Sequence, residues 1–146
     1  MRSVNVENSP TFIPVVAAAI VDGAGRLLLQ QALLGKRHAG QWEFPGGKVE
    51  PAESLRFALC REVREELALE LDEAVLQPAG FAEEAPADGR PGLVLLLYRC
   101  TRWSGVPEAC EGQRWAWFTL AEADSLPLAA MDRALLGGLI GQVPLA

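Results

Sequence analysis

The segment Ser54–Leu67 (SLRFALCREVREEL) constrains the fold more than any other part of the chain. It contains no Gly or Pro and is rich in residues that favour helices, so it predicts a helix. At about 100° per residue, its apolar residues form one arc that should pack against a core. Glu62 and Glu66 fall inside that arc, and Glu65 lies at its edge. A solvated helix would place these carboxylates on the opposite face.

The three glutamates are also neighbours on the helix, at i, i+3 and i, i+4. Like charges at this spacing cost about 0.2–0.5 kcal/mol per pair when exposed, and more when water is removed. A divalent cation removes this conflict, because Mg²⁺ prefers carboxylate and water oxygens and keeps the carboxylates ionised. The alternative is a charged helix whose glutamates pair with its own arginines, Arg56, Arg61 and Arg64.

Length, charge and composition exclude several classes of protein. The chain has 146 residues, which suits one domain, and its net charge of −6 argues against a general nucleic-acid binder. Its one histidine, His38, lies in a probable surface loop without a nucleophile motif, and three dispersed cysteines make neither a zinc pattern nor a disulfide framework. Met1–Pro10 is not a signal peptide, and no apolar run is long enough to span a bilayer. We expect a cytoplasmic protein without membrane contact.

The remaining pattern predicts strands mixed with helices, and therefore an α/β or α+β layered domain. We expect a hairpin of Phe12–Val21 and Arg26–Gln31, and a short strand at Trp42–Phe44 that Pro45-Gly46-Gly47 ends. Further along the chain, the predicted elements are strands at Ala74–Glu84, Gly92–Cys100 and Arg114–Leu120, and a helix at Met131–Ile140.

The segment from Gly47 to Leu69 resembles the Nudix box, G-x5-E-x7-R-E-U-x-E-E-x-G-U, where U is aliphatic. Eight positions match at the correct spacing: Gly47, Glu53, Arg61, Glu62, Val63, Glu65, Glu66 and Leu69. The preceding Trp42–Lys48 (WEFPGGK) resembles the MutT-like branch of that family. The resemblance implies one Nudix hydrolase domain over residues 1–146, with the box at 47–69. Its expected fold is a Nudix-type α/β/α sandwich with a mixed β-sheet.

One position departs from the box, since Ala68 replaces the last glycine. A glycine after a helix usually adopts the left-handed conformation. Alanine there costs about 1 kcal/mol if that conformation is kept, and otherwise the helix must end differently. We expect lower local stability and unchanged chemistry.

The resemblance also implies the active-site residues. Mg²⁺, with Mn²⁺ as a substitute, would be bound by the backbone carbonyl of Gly46 and by Glu62, Glu65 and Glu66. Glu53 and Arg61 would hold the loop against the helix and orient these glutamates. Glu111 would bring one more carboxylate, as a metal ligand or as the base for water. The residues expected to take part in catalysis are Glu53, Arg61, Glu65 and Glu111.

Substrate contacts are expected outside the box. Lys36, Arg37 and Lys48 would hold the outer phosphates, and Phe44 would pack near the base. Asp132 would accept hydrogen bonds from amino or imino groups of the base, or else would be the N-cap of the last helix. The Asn that MutT enzymes use for oxidised guanine is Ala130 here, which argues against strict specificity for that base.

The expected activity is hydrolysis of a nucleoside triphosphate, oxidised or otherwise modified, to the monophosphate and pyrophosphate. Metal ions lower the pKa of the attacking water and neutralise charge on the leaving phosphate. Two alternatives remain: a Nudix hydrolase of ADP-ribose or another nucleoside diphosphate derivative, and a non-catalytic nucleotide-sensing module. The intact charged positions of the box favour catalysis. The expected partner is a nucleotide and not nucleic acid, and the protein is expected to be a monomer or a homodimer.

Overall fold

A computed structural model describes residues 11–36 and 38–142, in which strands alternate with helices. The strands are β1 Phe12–Ile20, β2 Leu27–Gln31, β3 Trp42–Glu43, β4 Gly46–Lys48, β5 Glu70–Leu71, β6 Gln77–Glu84, β7 Gly92–Cys100, β8 Trp103–Ser104 and β9 Arg114–Phe118. The helices are α1 Leu55–Leu67, α2 Leu120–Asp124 and α3 Ala130–Gln142, with a 3₁₀ turn at Glu73–Val75. Arg37, a predicted phosphate contact, lies outside the described residues.

The central sheet is mixed and has the strand order β4-β1-β7-β6, in which only β1 and β7 run parallel. Both faces of β1 are buried. Val16 and Ile20 belong to the core cluster under α1, whereas Ala17 and Ala19 belong to the cluster under α2 and α3. A strand covered on both faces needs an apolar run rather than an alternating one, as Phe12–Ile20 has. The expected α/β/α sandwich with a mixed sheet is confirmed.

The predicted hairpin of β1 with β2 is wrong. β2 lies in a second sheet of order β3-β2-β9, and a single bridge between Val21 and Leu27 joins it to the end of β1. The turn at Asp22 does reverse the chain, because its carboxylate accepts hydrogen bonds from the Ala24 and Arg26 amides. However, β4 and β7 already pair with the two edges of β1. β2 therefore pairs elsewhere.

The strand that begins at Trp42 ends before the Pro-Gly-Gly segment, as predicted. Gly46 and Gly47 belong to a further strand, β4, so this segment carries the chain between the two sheets. Pro45 separates β3 from β4, and its carbonyl accepts the amide hydrogen of Ala18. Gly46 and Gly47 then pair antiparallel with β1. A Cβ on Gly46 would lie 1.9 Å from the carbonyl oxygen of Val16, so only glycine permits this approach.

Helix α1 is capped at both ends, by the side chain of Ser54 at its start and by the backbone of Ala68 at its end. Ser54 is the N-cap and accepts the Phe57 amide hydrogen at 3.1 Å. Ala68 ends the helix in the left-handed conformation, with φ 59° and ψ 27°, and its amide donates to the Arg64 carbonyl. The conformation expected of glycine is thus kept by alanine. Of the two apolar side chains outside the main apolar arc of α1, Cys60 is buried and Phe57 is 53% exposed.

Two strand boundaries differ from prediction by two or more residues, because a polar side chain begins a turn there. The predicted strand Ala74–Glu84 starts late, since Asp72 accepts the Ala74 amide hydrogen and opens the 3₁₀ turn. The predicted strand Arg114–Leu120 ends early at Phe118. Thr119 and Glu122 form a capping box there, and this starts the unpredicted helix α2.

Replacing Ala68 with glycine should stabilise the protein by about 1 kcal/mol, because the substitution removes the left-handed strain of a Cβ. Urea denaturation measures this change as a higher midpoint at unchanged slope. Ala134→Gly is the matched control, because Ala134 is an exposed residue of the right-handed helix α3. That substitution should destabilise by about 1 kcal/mol. An Ala68→Gly variant less stable than wild type would contradict the strain argument.

Candidate active site

Arg61 joins the loop before α1 to the helix. Its guanidinium donates to both carboxylate oxygens of Glu53, with Nη2 at 2.8 Å from Oε1, and Nη2 also donates to the Lys48 carbonyl at 3.2 Å. The Arg61 hydrogen bond is the main cause that lowers the pKa of Glu53. Both side chains are largely covered, so the pair is a bidentate contact that fixes geometry. This arrangement is the one expected of residues that hold the loop.

The same guanidinium also contacts two of the three helix glutamates. Nη1 of Arg61 lies 3.0 Å from Oε1 of Glu62 and 3.1 Å from Oε1 of Glu65. Arg64 instead pairs with Glu70 outside this cluster. The alternative, in which the helix glutamates pair with arginines of the same helix, therefore holds in part. Arg61 donates hydrogen bonds to Glu62 and Glu65.

Glu66 is held by a different set of groups. Its Oε1 accepts the Gly46 amide hydrogen at 3.0 Å, and its carboxylate is hydrogen-bonded to Gln30. The pKa of Glu66 is raised to about 8, mainly by burial and also by the charges of Glu62 and Glu111, against the hydrogen bonds from Gln30 and Gly46. The carboxyl is therefore short of nearby positive charge.

Gly47 makes room for the Glu62 carboxylate. A Cβ on Gly47 would lie 2.4 Å from Cδ and Oε2 of Glu62. Burial also raises the pKa of Glu62, and the hydrogen bond from Arg61 opposes that rise. The sequence had associated Gly46-Gly47 with close approach of a metal to the Gly46 carbonyl. In the structure, the Gly46 amide donates to Glu66 and Gly47 leaves no room for a side chain beside Glu62; the role of the Gly46 carbonyl stays a prediction.

Glu111 reaches the site on a loop that docks on the end of α1. The Glu108 amide donates to the Leu67 carbonyl at 2.9 Å, and the Cys110 amide donates to the Glu66 carbonyl at 3.1 Å. These bonds satisfy carbonyls that a helix end leaves without partners. Glu111 and Glu66 consequently line one cavity of about 320 Å³. Its other lining residues include Gln30, Lys36, His38, Glu43, Gly47, Lys48 and Gln113.

A second cavity of about 200 Å³ adjoins the first, and Glu43 and Gly47 line both. Phe44 and Asp132 line only this second cavity, which apolar residues of β1 and β7 complete. Oδ1 of Asp132 accepts the Phe44 amide hydrogen at 2.9 Å. Asp132 lies in the first turn of α3 and is not its N-cap, so the structural alternative for this residue is wrong.

The second cavity contains two carboxyls with raised pKa values. Burial raises the pKa of Asp132 to about 6, against hydrogen bonds from backbone amides. Burial and then the charge of Asp132 raise the pKa of Glu43 to about 7, and Lys36 acts in the opposite direction. Sequence reasoning missed Glu43. The one sequence feature that could have indicated Glu43 is its place as the single acid in the short, otherwise apolar strand predicted at Trp42–Phe44.

Sequence reasoning also missed two buried amides, Gln30 and Gln113, which are 4% and 5% exposed. Nε2 of Gln113 donates to Oε1 of Gln30 at 3.0 Å and to the Glu66 carbonyl at 2.9 Å. The only signal in the sequence was a polar residue at the end of the apolar strand β2.

The donor set suits a divalent cation by its chemistry. Among residues 11–36 and 38–142, no three His, Cys, Asp or Glu side chains converge at metal-binding spacing, and Arg61 contacts two of the glutamates. The remaining groups are carboxylate oxygens, which hard divalent ions prefer. Burial is the main cause that raises the pKa of Glu62 and of Glu66, and the Arg61 guanidinium beside Glu62 does not offset it. These residues therefore fit such an ion.

An α/β/α sandwich with an arginine-clamped, glutamate-rich helix behind a Gly-Gly strand is the architecture of a Nudix-type domain. The family model described as NUDIX domain matches residues 11–136, so the chain belongs to the NUDIX family. Members of this family generally use a divalent metal ion.

Named relatives cover most of the chain. It is 40% identical to a CTP pyrophosphohydrolase of Escherichia coli over 121 residues, which are 83% of this chain and 87% of that protein. It is 35% identical to an 8-oxo-dGTP diphosphatase of Haemophilus influenzae over 106 residues, 73% of this chain and 75% of that protein. The solution structure of the E. coli ORF135 protein superposes with a TM-score of 0.77 at 36% identity, covering 92% of each chain.

These findings confirm the predicted family and its MutT-like character, and the names agree with the predicted class, a hydrolase of nucleotide phosphoanhydride bonds. In the part of the chain that the structure describes, no helix has the length and apolar character needed to cross a bilayer.

The two glycines should respond differently to alanine. Gly47→Ala should leave the fold intact and lower hydrolysis about 10–100-fold, because the flexible Glu62 side chain must move away from the new Cβ. Gly46→Ala should destabilise by roughly 3 kcal/mol, because its Cβ would overlap the rigid backbone of Val16. Thermal unfolding and turnover of each variant measure the two effects.

Gly23→Ala is the matched control for this pair. A Cβ on Gly23 meets no atom within 4 Å, so both stability and turnover should stay near wild type. Full activity of Gly47→Ala would show that the position of the Glu62 carboxylate does not matter.

Proposed function

We propose that the protein is a Mg²⁺-dependent pyrophosphohydrolase that converts a nucleoside triphosphate to the monophosphate and pyrophosphate. It would act in the cytoplasm on the nucleotide pool, as one Nudix hydrolase domain over residues 1–146. One observation carries the proposal: Glu66 on α1 and Glu111 on the docked loop line the same cavity as Lys36 and Lys48. Acids and cations that face one space suit a metal-bound polyphosphate.

The metal would be held by carboxylates of Glu62, Glu65, Glu66 and Glu111 and by the carbonyl of Gly46, with Mn²⁺ as a substitute. Bound there, it would neutralise phosphate charge and lower the pKa of water. Glu53 and Arg61 would keep Glu62 and Glu65 in place, since the guanidinium contacts all three carboxylates.

The protein groups would divide the remaining work. Glu111 lines the cavity beside Glu66 and is the first candidate to accept the proton of the attacking water. Glu65, which is about half exposed, is the second candidate. Lys36 and Lys48 line the cavity and would hold the outer phosphates, with Arg37 as the further predicted contact.

The nucleobase would occupy the second cavity. Phe44 lines it and would pack against the base, and Asp132 and Glu43 offer acceptors for amino or imino hydrogens. Cytosine presents an amino group where uracil presents an oxygen, so two carboxylates favour cytosine. The relative named a CTP pyrophosphohydrolase supports this choice, as does Ala130 at the position of the MutT Asn.

Incubation with Mg²⁺ and a panel of nucleotides tests the activity: CTP, UTP, GTP, 8-oxo-dGTP and ADP-ribose, each with an EDTA control. We expect monophosphate and pyrophosphate in equal amounts from the triphosphates, with CTP turned over fastest, and nothing with EDTA. Preferential cleavage of ADP-ribose would favour the dinucleotide alternative. Binding without cleavage of any compound would favour the sensing module.

Substitution of the helix glutamates should abolish most of this turnover. Glu65→Gln and Glu66→Gln should each lower kcat about 100-fold or more, because a neutral amide cannot replace a carboxylate toward a divalent ion. Circular dichroism checks that the fold is kept. Glu83→Gln on β6, an exposed acid away from both cavities, is the control and should keep wild-type kcat. Unchanged kcat in both helix variants would remove these glutamates from the site.

Base preference should depend on pH through the second cavity. The pKa values of Asp132 and Glu43 are raised to about 6 and about 7, so both carboxyls gain charge as the pH rises from 6 to 8. The ratio of kcat/KM for CTP to that for UTP should therefore rise about 10-fold across this range, a change of about 1.4 kcal/mol. The ratio cancels titration of the phosphates, which both substrates share.

Asp132→Asn should flatten this rise, since the amide has no charge to gain yet still accepts the Phe44 amide hydrogen. Asp88→Asn, an exposed loop residue, is the control and should keep the wild-type profile. A profile in Asp132→Asn identical to wild type would exclude Asp132 from base recognition.

A further inference from the structure

Two buried glutamines lie beside the carboxylates of the site and have no role in the proposed hydrolysis. Gln30 and Gln113 are almost fully buried, one at the end of β2 and the other just before β9. A buried amide is costly unless its donors and acceptors are paired, and an apolar side chain of similar size would avoid that cost. Burial of these two glutamines therefore requires a specific set of hydrogen bonds.

The hydrogen bonds of Gln113 use both hydrogens of its amide and its oxygen. Its Nε2 donates to the Gln30 side-chain oxygen and to the Glu66 backbone carbonyl, and its Oε1 accepts the Glu111 amide hydrogen at 3.0 Å. The orientation is fixed, because a flipped amide would place oxygen against two acceptors and nitrogen against a donor.

The chain of bonds continues to the Glu66 carboxylate. The side-chain oxygen of Gln30 is occupied by Gln113, so its amide nitrogen is the group free to donate to Glu66, and this hydrogen bond lowers the pKa of that acid. One buried path thus runs from the Glu111 backbone through Gln113 and Gln30 to Glu66. It connects the backbone of Glu111 to the carboxylate of Glu66, and these two residues line the first cavity from different elements.

We infer that Gln113 is a positioning residue: it fixes the Glu111 loop against α1 and, through Gln30, orients the Glu66 carboxylate. The inference rests on the proposed function, because it assigns Gln113 a part in that site. Two further bonds of the loop, from Glu108 and Cys110 to helix carbonyls, are made by backbone only. Gln113 alone among these contacts joins the loop to both the helix and β2.

A double-mutant cycle tests this role through turnover. Gln113→Met, Glu111→Ala and the double variant are compared with wild type at saturating metal. If Gln113 acts in part by positioning Glu111, each single variant lowers kcat about 10–100-fold with little change in KM, and the double variant loses less than the product of the two single losses. Effects that multiply would show that Gln113 acts independently of Glu111, and would overturn the inference.

Binding of Mn²⁺ to the nucleotide-free protein, followed by electron paramagnetic resonance, gives a readout that does not depend on activity. Gln113→Met should weaken Mn²⁺ about 10-fold or more, because Glu66 and Glu111 are no longer held together. Gln77→Met, an exposed glutamine at the start of β6, is the matched control and should bind Mn²⁺ as wild type does. Wild-type affinity in Gln113→Met would overturn the inference.

Gln113→Glu keeps the test decisive if the methionine variant unfolds. It preserves shape and the acceptor for Glu111 but removes both donors, so Mn²⁺ affinity and kcat should still fall; wild-type values would overturn the inference. The proposed function and the role of Gln113 can also be disproved by different results. A wild-type protein that cleaves no nucleotide ends the proposed function, and the Mn²⁺ comparison still decides the role of Gln113.

Discussion

The site depends on one guanidinium that faces three carboxylates. Arg61 contacts Glu53, Glu62 and Glu65, and the hydrogen bond to Glu53 is the main cause that raises the pKa of the arginine, which therefore stays charged. One positive charge neither balances three negative ones nor reaches Glu66. The clamp therefore sets geometry, since it holds the loop on α1 and aligns two glutamates, and it leaves the cluster with excess negative charge. That excess is what makes a divalent cation a fitting partner.

Burial increases the electrostatic cost of this excess. The pKa of Glu66 is raised from 4.5 to about 8, mainly by burial, which corresponds to a cost on the order of 5 kcal/mol for ionising this acid within the fold. The fold accepts this cost at a position that packing alone would give to an apolar side chain, since Val63 and Leu67 beside it are fully buried. A cation among the carboxylates would offset it. If Glu66 binds the metal as proposed, stability and metal affinity would be coupled through this buried acid.

Local patterns predicted much of the fold and the helix-borne part of the site. Three features can each be recognised from the residues of a single segment: the apolar run of β1, the helix Ser54–Leu67 and the spacing of the box. Strand pairing is not local: the turn after β1 predicts a reversal, but the partners of β2 depend on which edges β4 and β7 occupy. The hydrogen bonds of Gln113 could not be predicted for the same reason. Its bonds reach Gln30 and Glu66, which are distant in sequence and become neighbours only after the loop docks.

Under the proposed function, the two cavities separate the hydrolytic chemistry from the recognition of the base. The first is lined by residues of α1, β4, the loop of Glu111 and the end of β2 with the loop after it, which bring Glu66, Glu111, Lys36 and Lys48 to one space. The second takes its polar groups from β3 and α3, which bring Glu43 and Asp132. The two cavities share residues at β3 and β4, so a base held in one would place its phosphates at the other. A substitution at residue 132 would alter the proposed base pocket without changing any residue of α1. Under the proposed function, the same hydrolytic site would therefore be compatible with different bases on one scaffold.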